Sequence, residues 1–490
     1  MSSNLTTGRP WRVILAFSIP LLLGNVVQQL YQFVDSIVVG RQLGVDSLAA
    51  VGATGSLLFL LIGFAWGLTS GFAIPTAQAF GARDYDAVGR SVAAGTILTG
   101  ITSVIITVGG AALAGPLLEL LATPPELLPE ATIFTQVSFL GGTATMFFNQ
   151  LSAIIRAIGD SRTPLVFLAV ACGLNVGLVI LFVGPLQLGV AGAALATVVS
   201  QGVSVVLCLV YVWRKVPALH VHRAQWRVRR EDLAEHLRLG LPMGFQASII
   251  AIGTITVQVA LNNLGSEAVA SYTTAARVDS LALTFLNSLG LAASVYAAQN
   301  LGARRPDRIR RGVIEALWMA VIAAVILGAL LVAFGEQMVR IFVGEGSDHM
   351  VAQAHQMLVI NGVAYWVLGI LFVLRGALQG LGHALIPTVT GAIELVARVA
   401  AAIVLGAVFG FVGVAAANPL AWIGAVCVLI PAYLHAHRQL SKLPVTPEVP
   451  TETSTIAVVG PTDGSMVVDA VVTAPIPVIT PRRKLSLRRR

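Results

Sequence analysis

Apolar runs long enough to cross a bilayer recur from residue 13 to about residue 437, and they constrain the fold more than any motif does. A backbone inside hydrocarbon must satisfy its own hydrogen bonds, which leaves helices or closed barrels. Barrel strands would read as segments of about ten residues alternating apolar and polar, and such segments are absent. Only 11% of the residues are charged and the mean hydropathy is +0.84, where soluble domains carry about 25% charge. The expected fold class is therefore an all-α polytopic membrane protein with twelve transmembrane helices. The spans are placed at about 13–38, 48–78, 92–115, 131–157, 163–185, 189–213, 236–262, 268–299, 311–335, 349–380, 385–409 and 413–437.

The loops carry the net charge of +8 in a pattern that selects an orientation and argues against nucleic-acid binding. Arg83 and Arg90, Arg156 and Arg162, the run from Arg214 to Arg230, and Arg304 to Arg311 occupy every second loop. Positive charge gathers on the cytosolic side, so these loops and both termini are expected inside a cell membrane, inner or plasma. Arg9 and Arg12 precede the first run as they would in a signal peptide. That run is too long and contains Asp35, so it reads as an uncleaved span.

Asp35 is the residue that most needs a reason. On a helix, Asn25, Gln28, Gln32 and Asp35 share a narrow face with Tyr31 beside them, while Val26, Leu30, Phe33, Val34 and Ile37 take the opposite side. An ionisable group in hydrocarbon costs at least about 2.5 kcal/mol, so this stripe must face other helices or a water-filled cavity, and it marks a candidate site.

The chain also repeats itself. AFSIPLLLGN returns as RLGLPMGFQA, RQLGVDSLAAVG as NNLGSEAVASYT, and AQAFGARDYDAVGR as AQNLGARRPDRIRR, which aligns Pro20 with Pro242, Gln78 with Gln299 and Gly81 with Gly302. IRAIGDSRTPLV is answered by LQGLGHALIPTV. Six spans per half place both halves in the membrane the same way up, related by an axis along the membrane normal, and such halves can rock about a cleft. The expected organisation is a first lobe at 1–213, a cytosolic linker at 214–235, a second lobe at 236–440 and a disordered basic cytosolic tail at 441–490.

These strings, in their order and doubled, resemble the multidrug and toxic compound extrusion (MATE) family, and within it the DinF-like branch. The resemblance covers roughly residues 13–437. It implies two six-helix lobes in a V, substrate bound in or between them, and export driven by an inward proton or sodium gradient. It implies a coupling role for Asp35, a conformational role for Pro20, whose kink changes when the carboxylate is protonated, and companion roles for Tyr31, Asn175 and Thr197. Where a second acid commonly stands one turn after the asparagine, this chain has Val179.

That departure bears on the coupling ion. Sodium wants several oxygen ligands and compensating charge, whereas a proton needs one carboxylate. Proton coupling is favoured, with sodium left open because Asn175, Thr197 and backbone carbonyls offer ligands beside Asp35. The expected function is a proton-coupled antiporter exporting cationic or amphipathic organic compounds, including drugs, by rocking of the lobes. The alternative is a flippase for lipid-linked intermediates from the same superfamily, disfavoured by the acid in the first-lobe cavity and the scarcity of embedded arginines.

The other embedded charges are weaker candidates in the second lobe. Glu394 and Arg398 lie one turn apart and read as an ion pair within one helix, while Arg277 and Asp279, two residues apart, cannot face each other. Cys172, Cys208 and Cys427 lie within apolar runs, and His220/His222 and His435/His437 sit in or beside basic segments with no HExxH or CxxC, so neither a disulfide framework, a metal site nor a cofactor is expected. No nucleophile and base stand at useful spacing, so no enzyme activity is expected. Nothing demands a partner chain, and a monomer is expected. The tail, ending PRRKLSLRRR, reads as a lipid-hugging segment with Ser486 as a candidate kinase site.

Overall fold

The computed structural model describes residues 5–121, 123–341 and 348–444, and those residues form helices joined by short turns. In chain order the helices are α1 (Pro10–Leu43), α2 (Val45–Gly81), α3 (Tyr85–Leu120), α4 (Leu128–Leu140), α5 (Gly142–Ala157), α6 (Arg162–Val183) and α7 (Gly189–Lys215). The second half comprises α8 (Arg230–Asn262), α9 (Ser266–Gly302), α10 (Pro306–Arg340), α11 (Asp348–Gly380), α12 (Leu385–Phe409) and α13 (Phe411–Leu440). The basic tail expected beyond residue 441 lies almost wholly outside the described residues.

Among the described residues eleven helices are long and apolar enough to cross a membrane. The remaining expected span, the fourth at 131–157, is two shorter helices broken at Gly141, where the paired glycines Gly141 and Gly142 weaken the helix. Hydropathy is blind to that break because the apolar run continues through it. Most helices overshoot the apolar runs by a turn or more into polar flanks.

The internal repeat is built into the turns. Gly44 and Gly265, equivalent in RQLGV and NNLGS, join α1 to α2 and α8 to α9 with φ of 96° and 102°, a region that glycine occupies without steric cost. The RAIGDSRTP string explains itself locally. The Asp160 carboxylate accepts from the backbone N–H of Arg162 and Thr163 at 3.1 and 3.0 Å and from the Tyr211 hydroxyl at 2.8 Å, capping the start of α6 and tying it to α7.

The first helix of each half packs on both halves. Toward its start, α1 buries Ile14, Phe17 and Leu21 in a core made with α9, α10, α11 and α13. Further along it also packs on its own half, where Gly24 lies against Leu165 and Leu168 of α6 and Val39 joins Val179, Val183 and Ala193 of α6 and α7. Helix α8 does the converse. Its Leu239 and Met243 pack with Ala73, Ile74 and Ala77 of α2 and with Ala153 and Ala157 of α5, and a Cβ on Gly71 would fall 2.5 Å from the Cα of Gly240. Beyond that contact α8 joins α12, through Gln246 Nε2 donating to the Pro387 carbonyl at 3.0 Å and Thr388 Oγ1 donating to the Pro242 carbonyl at 2.8 Å. Pro20 and Pro242 stand near these two changeovers, each removing one backbone N–H from its helix.

The segment joining the halves is packed in place. Two short 3₁₀ turns, Pro217–Leu219 and Arg223–Trp226, lie between α7 and α8. Leu219 is buried with Val88 and Val92 of α3, and Gln225 Nε2 donates to the Asp86 carboxylate at 3.2 Å. A buried polar chain, Thr76 to Ser91 at 2.8 Å and Ser91 to His236 Nε2 at 2.9 Å, fastens the start of α8 to α2 and α3.

Candidate functional site

The site is assembled from α1, α6 and α7. Tyr31 and Thr197 share a hydrogen bond of 2.7 Å between their hydroxyls. Asn175 Nδ2 donates to the Tyr31 oxygen at 3.4 Å and to the Thr197 oxygen at 3.3 Å, closing a triangle across three helices. Asn175 is 1% exposed. Helical periodicity places each of these side chains: Tyr31 leaves α1 on the face that also carries Gly24 and Val39 toward α6, and the small residues around Thr197 (Ala193, Ala194, Ala196) let α7 come close.

Asp35 lies one turn beyond Tyr31 on α1 and is half-buried. Its Oδ1 is shut off from solvent and accepts no hydrogen bond, and the same holds for Asn175 Oδ1. A buried acceptor without a donor costs about 1–3 kcal/mol, more when charged, so these two oxygens favour a cationic or protic partner. Among the described residues no second carboxylate joins them. Val179, where one stood to be expected, is 1% exposed and packs among Val39, Val183 and Val190, an apolar wall that would strip any added charge of solvent.

The rest of the expected stripe divides. Asn25 turns to the second half and donates to Ser288 Oγ of α9 at 3.3 Å. Gln29, outside the expected stripe, does the same to Thr284 Oγ1 at 3.0 Å. Gln28 and Gln32 are exposed, as are Leu30, Phe33 and Ile37. The structure therefore gathers Asp35, Tyr31, Asn175 and Thr197, leaves Gln28 and Gln32 facing open space, and makes Asn25 a strut between halves. Helix periodicity alone cannot separate these fates, because it gives the face and not the neighbour.

In the second half, Arg277 and Asp279 diverge as their spacing requires. The Arg277 guanidinium stands 5.7 Å from the centre of the Phe33 ring on α1, a cation–π contact between the halves. Asp279 is 4% exposed and accepts from the Tyr365 hydroxyl and, at 3.3 Å, from Asn361 Nδ2, both on α11. The Glu394–Arg398 reading needs correction. Their bond of 2.8 Å is present, but the other carboxylate oxygen accepts from Arg375 of α11, also at 2.8 Å. All three are 5–6% exposed, so one carboxylate serves two guanidiniums and the cluster keeps a positive charge instead of neutralising itself. Arg375 stands 19 residues from Glu394 on another helix, beyond the reach of any local spacing rule.

Residues 20–181 and 242–412 match the MatE family, covering the two halves in turn. The chain is 31% identical over 386 residues to the probable multidrug resistance protein YoeA of Bacillus subtilis, spanning 77% of this chain and 83% of that protein. It is 30% identical over 381 residues to the probable multidrug resistance protein YpnP of the same organism, spanning 77% of this chain and 84% of that one. A crystal structure of MATE in complex with MaL6 superposes with a TM-score of 0.83 at 23% identity, covering 90% of this chain and 100% of that one.

Proposed function

Because this chain belongs to the MatE family of membrane transporters, we propose that it is a proton-coupled antiporter that exports cationic or amphipathic organic compounds through the cell membrane, with Asp35 as the coupling carboxylate. The relatives named as multidrug resistance proteins support the substrate class. The single observation that carries the coupling reading is the buried, donorless Oδ1 of Asp35, one helical turn from Tyr31, the residue that Asn175 bonds.

The mechanism follows from what each state of Asp35 can bind. As a carboxylate it offers a cationic substrate the one counter-charge on an otherwise apolar and amide-lined face of α1. A proton from the outer side cancels that charge and makes the carboxyl a donor one turn from the Tyr31–Asn175–Thr197 triangle. Substrate then loses its counter-charge and leaves outward. The coupling is the difference in affinity between the two states. Helix α1 transmits it, because its start packs on the second half and its later turns touch both α6 and α9. Pro20 leaves the Ala16 carbonyl without its helical partner, so bending there moves Ile14 and Phe17 relative to the turns that carry Tyr31 and Asp35. Residues 1–213 and 236–440 act as the two rocking lobes, both termini lie in the cytosol, and one chain suffices.

Sodium is the alternative fuel, with Asp35, Asn175 Oδ1 and Thr197 as oxygen ligands, and the test separates the two. Purified protein in liposomes is loaded with ethidium and given either a pH gradient or a sodium gradient, for wild type and Asp35→Asn. Export driven by the pH gradient alone, and lost in a variant that still elutes as folded protein, is the expected result. Normal coupling in Asp35→Asn would remove the central residue from the mechanism. Export driven by sodium alone would replace the proton.

A further inference from the structure

Two hydrogen bonds cross between the halves at the ends of α2 and α9, and the internal repeat makes them equivalent. Gln299 Nε2 of α9 donates to the Ala157 carbonyl at the end of α5 at 2.6 Å. Gln78 Nε2 of α2 donates to the Gly380 carbonyl at the end of α11 at 3.0 Å. Gln78 and Gln299 are partners in the repeat, and so are Ala157 and Gly380, in IRAIGDSRTPLV and LQGLGHALIPTV. Each bond is thus the image of the other. The backbones touch at the same place: a Cβ on Gly81 would fall 1.9 Å from the Gln299 carbonyl oxygen, and one on Gly302 1.8 Å from that of Gln78.

We propose that Gln78 and Gln299 are a symmetric pair of latches that hold the two halves together on the side bearing the basic loops, and that the N-terminal segment locks one of them. This rests on the rocking-lobe reading above. The receiving carbonyls belong to the last residues of α5 and α11, which have no intrahelical donor, so the closed arrangement satisfies groups that opening would hand to water. That makes the latch reversible and weak. A net hydrogen bond of this kind shifts an equilibrium by about 2- to 10-fold.

The two latches are unequal, and the reason is the segment from Leu5 to Gly8. Gln299 is fully buried, and its Oε1 accepts the Leu5 N–H at 3.2 Å while its amide nitrogen holds Ala157. Leu5 is in turn held by Asn300 Nδ2, donating to its carbonyl at 3.2 Å, and Arg308 Nη1 donates to the Gly8 carbonyl at 2.9 Å. Gln78 is only partly buried, and no bond to its Oε1 accompanies the one its nitrogen makes. The segment around Leu5 therefore fixes the rotamer of one latch and not of the other.

The test reads opening directly. In the full chain with Cys172, Cys208 and Cys427 replaced, a single cysteine at Ala298, which is 1% exposed at this seam, is reacted with a maleimide from the cytosolic side in liposomes without substrate or ion gradient. Gln299→Ala is expected to raise the labelling rate by up to about 10-fold, Gln78→Ala by less, and the double variant by about the product. Removal of residues 1–8 is expected to raise it as well, by loosening Gln299. Unchanged labelling in both single variants, with each eluting as folded protein, would overturn the proposal, and so would a larger effect from Gln78→Ala than from Gln299→Ala. Because no gradient or substrate is used, the outcome stands apart from whether export is driven by protons.

Discussion

Glu394 is the residue whose replacement by its neutral isostere is expected to cost most stability. The side chain is 5% exposed and accepts from Arg375 and Arg398, each 6% exposed, at 2.8 Å on separate oxygens. Glu394→Gln keeps the shape and strands two guanidiniums, whose Nε atoms already lack acceptors. Leaving a buried charge uncompensated costs about 3–5 kcal/mol. With about 2.1 cal/mol/K of unfolding entropy per residue, a unit spanning residues 1–446 turns that into a fall of roughly 3–5 °C in Tm. Arg398→Met behaves differently. It removes the surplus charge and leaves a one-to-one pair between Arg375 and Glu394, so its expected cost is within about 1 kcal/mol. Thermal aggregation of the detergent-solubilised protein, followed by size exclusion, measures both. Equal losses in the two variants, or a larger loss in Arg398→Met, would show that Glu394 and Arg398 form a closed pair and refute the shared-carboxylate argument.

Two further perturbations test the first half. Tyr31→Phe removes the hydroxyl that bonds Thr197 at 2.7 Å and accepts from Asn175, and a loss of about 1–2 kcal/mol from the coupled step slows gradient-driven export roughly 5- to 30-fold with folded yield unchanged. Wild-type export in that variant would show that the triangle only packs α1 against α6 and α7. Asp160→Ala removes the cap of α6 and the bond from Tyr211, and about 0.5–2 kcal/mol of stability goes with them, while export per folded molecule is expected to stay the same. Lost export with unchanged thermal stability would move the RAIGDSRTP string from scaffold to transport.

Much of this protein is legible in its sequence because a bilayer punishes local errors locally. An apolar run must be a helix, a carboxylate within one must have a reason, and a positive loop is expected inside, so the spans and the candidacy of Asp35 follow from residues taken a few at a time. The duplicated strings likewise mark Gln78 and Gln299, Pro20 and Pro242 as equivalents before any coordinate is known. The tertiary structure decided what these residues touch. That Asn25 braces Ser288 while Tyr31 holds Thr197, that Glu394 serves Arg375 as well as Arg398, and that α1 and α8 change partners near their prolines all depend on contacts between helices far apart in the chain. Helical periodicity assigns a side chain to a face. Which helix meets that face is set by packing summed over the whole bundle, where small residues and a few hydrogen bonds choose among arrangements that hydropathy leaves equal.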